Sequence, residues 1–221
     1  MIELPVDLPS EIVPLSWLVG EWEGTGVLDY TVGEERVLRQ FGQRVEFTHD
    51  DFPHLYYRSS TWLEPETGSA SGSADADAGA DADAPDAERT PLVTETGYWR
   101  LSRPQGDADP GPGLLPGVGE RPFTNAEAVE TLRNSDGGFD IEVSLVHPGG
   151  IAELYLGQVK GPRIDLATDA VLRTAGAKPY AAATRMYGLV DNHLLWAWDI
   201  AALGQDLRTH ASARLARVEP V

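Results

Sequence analysis

The sequence predicts an all-β fold, a single antiparallel up-and-down β-barrel of about ten strands, on three observations. Short apolar or alternating segments recur along the chain, separated by turn signals such as Gly137-Gly138, Lys160-Gly161-Pro162 and Asp191-Asn192. Helical patterning is confined to a short lead-in. The first strand, Gly20-Glu21-Trp22-Glu23-Gly24-Thr25-Gly26, sets Trp22, Gly24 and Gly26 on one face and charged or polar residues on the other. Glycine inside a strand marks a bend or a close approach to the backbone, as a tightly curled barrel with an internal cavity requires.

The elements follow in order. Ser10-Glu11 leads into Ile12, Leu15, Trp17 and Leu18, a short helical or turn-like segment limited by Pro14 and suited to covering one barrel end. After the glycine strand come strands over 36–48 and 55–63, divided by the Asp50-Asp51-Phe52-Pro53 turn. Residues 67–90 differ in kind. A Ser-Gly start and repeated Ala-Asp pairs offer almost no large apolar side chain, so this acidic insertion is expected to be disordered. Order returns over 92–101, and a second, Pro/Gly-rich loop insertion spans 103–125. Strands then arrive at close intervals over 139–146, 151–159, 163–167, 181–190 and 193–201, with a last one ending near Val218. Residues 1–221 read as one domain, within which both insertions lie in hairpin loops.

Composition narrows the function. The net charge is −18, and part of it is local: seven acidic residues between Glu66 and Thr90 face Arg89 alone. The remainder is still strongly acidic, which argues against nucleic acid or an anionic membrane as partner. There is no cysteine, so thiolate ligation and cysteine nucleophiles are excluded. No apolar run approaches membrane-spanning length, and the chain is expected to be soluble and cytoplasmic.

Five histidines are the available imidazoles. His49, His54 and His193 lie in turns. His147 continues the alternation of Phe139, Ile141, Val143 and Leu145 and should point inward, as a satisfied core or turn histidine or towards a ligand pocket. His210 lies at the entry to the last strand, out of phase with Ala211, Ala213 and Leu215. It therefore belongs to the preceding loop, or a bulge shifts the register. No glycine-rich phosphate loop or Gly-x-Ser-x-Gly motif is present.

The stretch Gly20-x-Trp22-x-Gly24-x-Gly26 resembles the signature of the nitrobindin family of haem-binding, fatty-acid-binding-protein-like β-barrels. The resemblance continues through Val45-Glu46-Phe47-Thr48-His49, Glu95-Thr96-Gly97-Tyr98-Trp99-Arg100-Leu101 and His147-Pro148-Gly149-Gly150-Ile151 followed by Glu153. It closes at Gln205-Asp206-Leu207-Arg208-Thr209-His210. The ordered set spans nearly the whole chain. The family commonly has Tyr-Pro-Thr where this chain has Tyr30-Thr31-Val32.

The resemblance implies one ferric haem b, with His210 as the protein ligand to iron and as the catalytic position. It also implies an open sixth site that binds nitric oxide and isomerises peroxynitrite to nitrate. It further marks Lys178, His147, Thr31, Gly20, Trp22, Gly24 and Gly26 as candidate cofactor-binding residues, with Lys178 placed to pair with a propionate. The competing reading is a haem-free carrier of fatty acid or another small apolar ligand. Such a carrier would place an arginine or tyrosine inside the barrel for the carboxylate and would not need His210.

Overall fold

The computed structural model describes residues 8–32, 34–64, 89–201 and 207–219. Ten strands run in chain order: β1 (Gly20–Val32), β2 (Glu35–His49), β3 (Leu55–Leu63), β4 (Thr90–Leu101), β5 (Phe139–His147), β6 (Ile151–Lys160), β7 (Arg163–Arg173), β8 (Ala182–Val190), β9 (His193–Ala201) and β10 (Arg208–Arg217). Each pairs antiparallel with its neighbour in sequence, and β1 pairs with β10, so the sheet closes into a barrel without free edges. Alternation decides which face is core: Phe139, Ile141, Val143 and Leu145 of β5 are all buried.

Up-and-down winding gives the barrel two unlike ends. At one lies the 3₁₀ helix Ser10–Leu18, which accommodates Pro14 and buries Ile12, Leu15 and Leu18 completely. It plugs this end together with the helix α1 (Ala126–Glu130). Trp22 is tied to the plug, its indole Nε1 donating to the Leu18 carbonyl at 2.7 Å, with the Arg217 guanidinium 4.6 Å from its ring centroid. A buried ion triad fastens the plug from outside. Arg103 donates to Glu11 (2.6 Å) and Asp109 (2.7 Å), joining the lead-in to the start of the irregular connection over 103–125.

The opposite end, an open rim among the described residues, is where the β1–β2, β3–β4, β5–β6, β7–β8 and β9–β10 connections meet. The acidic insertion belongs to the β3–β4 connection; residues 65–88 lie outside the described residues.

The glycines of β1 let neighbours close on the wall. A Cβ on Gly24 would stand 2.3 Å from the Arg214 carbonyl oxygen of β10, and one on Gly26 would stand 2.4 Å from the Phe41 ring. Space beside these two glycines is already filled by backbone and by Phe41.

Candidate functional site

His210 sits on a β-bulge at the rim. Thr209 pairs with Asp199 and Ala211 with Trp198, so two steps of β10 match one step of β9 and His210 is the extra residue. The bulge lets Ala211, Ala213 and Leu215 keep their inward phase while freeing the imidazole from the alternation. Its ring is half-buried, stacked on Tyr30 (centroids 4.8 Å, planes at 21°) and set edge-on to Trp198 (5.7 Å, 80°). Burial, with the Arg208 charge added, lowers its pKa below the ordinary histidine value. At neutral pH the ring is therefore neutral and offers a lone pair.

Beneath the rim is a cavity of about 60 Å³, lined by Leu28, Val93 and Ala211, by Trp196 and Trp198, and by the charged pair Glu95 and Arg185. Val93 shares the inward phase of Glu95, Gly97 and Trp99, yet is 47 % exposed. An apolar side chain turned inward and still wet marks an open mouth.

Deeper in, a polar network fills the barrel. Arg185 of β8 grips Glu95 of β4 through two hydrogen bonds (2.7 and 2.8 Å), and its Nε donates to the Tyr155 hydroxyl at 3.1 Å. Its remaining N–H groups face the Tyr187 hydroxyl (3.4 Å) and Glu153 (3.6 Å). Tyr57 donates to Glu95 (2.6 Å), while Tyr155 (2.6 Å) and Tyr180 donate to Glu153. His147 Nε2 donates to Glu153 Oε2 at 2.7 Å. Burial pushes the Glu95 carboxyl up, but Arg185, His147 and Tyr57 outweigh it and hold it at about 2. Glu153 is lowered the same way, by His147, Arg185 and the two phenols against its burial.

The sequence-derived candidates thus divide. His210, Thr31, Lys178 and His147 are all at the open rim, with Lys178 exposed in the β7–β8 connection. Gly20 and Trp22 are at the plugged end, and Gly24 and Gly26 lie in the wall between. Trp22 stands eight residues from Tyr30, about 26 Å along the strand. His147 points inward but is spent on Glu153 and is not among the described residues that line the cavity.

Residues 11–217 match the family described as "THAP4-like, heme-binding beta-barrel domain". The chain belongs to this haem-binding β-barrel family. It is 62 % identical over 219 residues to the peroxynitrite isomerase of Leifsonia xyli subsp. xyli, covering 99 % of this chain and 100 % of that one. It is 61 % identical, with the same coverage, to the peroxynitrite isomerase of Clavibacter michiganensis subsp. michiganensis. Its fold resembles the crystal structure of Rv2717c from M. tuberculosis, with a TM-score of 0.60 at 23 % identity, covering 98 % and 100 % of the two chains.

Within this family barrel, the structure brings forward residues that composition and motif left aside. Glu95 and Glu153 stand inside quoted motifs, but their inward phase, shared with Trp99 and Tyr155, was the signal of a buried charge. Arg185 shares its phase with Ala183 and Tyr187 in the same way. Tyr30 and Trp198 become visible only once the bulge places His210 between them.

Ligand-atom geometry alone would group Glu95, His147 and Glu153 as a cation site, since their donor atoms lie within 4.8 Å of one another. The Arg185 guanidinium already supplies the positive charge there. It also meets the carrier criterion in an unexpected way. An arginine and several tyrosines do lie inside, but the arginine fork is filled by Glu95, the protein's own carboxylate.

Proposed function

We propose that the protein binds one haem b at the open rim through His210, binds nitric oxide there, and isomerises peroxynitrite to nitrate. The observation that carries this reading is the bulge, which holds a neutral imidazole between Tyr30 and Trp198 over an apolar mouth. The donor set fits the group: an uncharged nitrogen ligand for iron, with Leu28, Val93 and Ala211 to meet an apolar ring. Ferric iron held by one protein ligand supplies an open coordination position for small nitrogen oxides. Tyr30 and Trp198 fix the imidazole plane. Lys178, exposed on the rim, is assigned to a propionate, and Thr31 to the same edge.

The peroxynitrite isomerase names of the relatives support the activity. The filled Arg185 fork counts against the fatty-acid carrier, because a lipid carboxylate would have to displace Glu95. No described helix is long and apolar enough to cross a membrane. The outer wall carries Glu21, Glu23, Arg44 and Arg58, which suits water rather than hydrocarbon.

Reconstitution with ferric haem, followed by an absorption spectrum and stopped-flow decay of peroxynitrite with nitrate quantified, tests the proposal. A wild-type chain that takes up no haem but binds fatty acid would replace it with the carrier reading.

A further inference from the structure

A path of rings and a path of hydrogen bonds meet at Tyr180. The ring path starts at Trp198, which lines the cavity and touches His210. Behind it stands Tyr180, half-buried in the β7–β8 rim connection, its ring 6.3 Å from the Trp198 centroid at 66°. The hydrogen-bond path starts at the Tyr180 hydroxyl, which donates to Oε1 of Glu153. The other oxygen of that carboxylate receives His147 Nε2 at 2.7 Å, and the His147 side chain is 12 % exposed. One buried carboxylate thus joins a phenol to an imidazole that reaches water. Burial, then Tyr155 and Glu153, hold the Tyr180 hydroxyl above its ordinary value, so it stays protonated until an electron leaves.

We propose that Trp198 and Tyr180 form a one-electron donor pair that reduces nitrogen dioxide in the cavity, with Glu153 as the proton acceptor. Nitrogen dioxide takes one electron from the Trp198 ring and becomes nitrite. Tyr180 returns an electron to Trp198, and its hydroxyl proton passes to the Glu153 carboxylate. The products are nitrite, a neutral phenoxyl radical at Tyr180 and a protonated Glu153, with charge conserved. A small-molecule thiol or ascorbate restores the phenol by giving up a hydrogen atom, and Glu153 then releases its proton to water. Tyr57 also faces a carboxylate, but Glu95 is gripped on both oxygens by Arg185, which makes it the poorer proton acceptor.

Nitrogen dioxide arises when the O–O bond of peroxynitrous acid breaks homolytically. The inference rests on the proposed function only for that source of oxidant.

The test uses the full chain without haem. Azide radicals made by pulse radiolysis oxidise tryptophan, and the indolyl and phenoxyl absorption bands are followed in time. The wild type should show a concentration-independent conversion of indolyl into phenoxyl. Tyr180→Phe should diminish it, the remainder arising at Tyr57 and Tyr187, which face Trp99 and Trp196, with circular dichroism confirming the barrel. An unchanged conversion in Tyr180→Phe overturns the proposal. In heavy water the wild-type conversion should slow, and no isotope effect would remove Glu153 from the step without reliance on an unstable variant.

Nitrogen dioxide should then nitrate Tyr180 ahead of Tyr98, although Tyr98 is 51 % exposed. Nitration led by Tyr98 would count against the pair. A chain that transfers the radical yet takes up no haem would leave this inference standing and sink the function proposed above.

Discussion

At the scale of single residues, the structure separates a side chain free to act from side chains already committed. His210 contributes little to the core, so His210→Ala should leave the barrel folded by circular dichroism while abolishing the stable ferric haem spectrum and peroxynitrite decay above background. An unchanged spectrum would remove His210 as ligand. Arg185 is the opposite case. Its side chain is 3 % exposed and balances Glu95 and Glu153, so Arg185→Leu leaves two buried carboxylates without their cation. The expected cost is about 3–5 kcal/mol, read from urea unfolding. Its acid counterpart has a definite sign. Glu95 is held at about 2 against an ordinary 4.5, so the folded chain binds that proton less readily than the unfolded one. The stabilisation is complete above the ordinary value and is lost as pH falls through about 2. Wild-type stability should drop across that window, and Glu95→Gln should flatten this part of the profile.

At the scale of elements, β1 shows a motif whose conformation was legible and whose purpose was not. Alternation correctly put Trp22, Gly24 and Gly26 on one face. The glycines, however, make room for the β10 backbone and the Phe41 ring. Gly24→Val and Gly26→Val should each cost roughly 1–3 kcal/mol through overpacking. Thermal midpoints equal to the parent's would show that β10 can move aside. The ten strands were readable because period-two burial and turn residues act locally. The Arg185 network was not, since its partners lie on β3, β4, β5, β6 and β8 and only closure of the sheet brings them together. His210 falls between these cases. Its failure to alternate was visible in the sequence, but only cross-strand pairing with β9 shows the offset to be a bulge.

At the scale of the molecule, closure predicts what can be removed. Leu63 and Thr90 are direct partners across β3 and β4, so the hairpin is complete without the chain between them. Deleting residues 67–87 and joining the flanks by a short turn should leave the thermal midpoint nearly unchanged and haem uptake intact. A large loss of stability would show that the acidic run packs on the barrel. The arrangement of connections also gives the molecule two addresses. Anything spliced into β1–β2, β3–β4, β5–β6, β7–β8 or β9–β10 is delivered to the mouth beside His210. The same cargo in β2–β3, β6–β7 or β8–β9 arrives at the far pole, about 30 Å away along the strands. A tethered electron donor, a quencher or a partner domain can thus be set near the site or kept from it by the parity of the hairpin that carries it, with no change to the barrel itself.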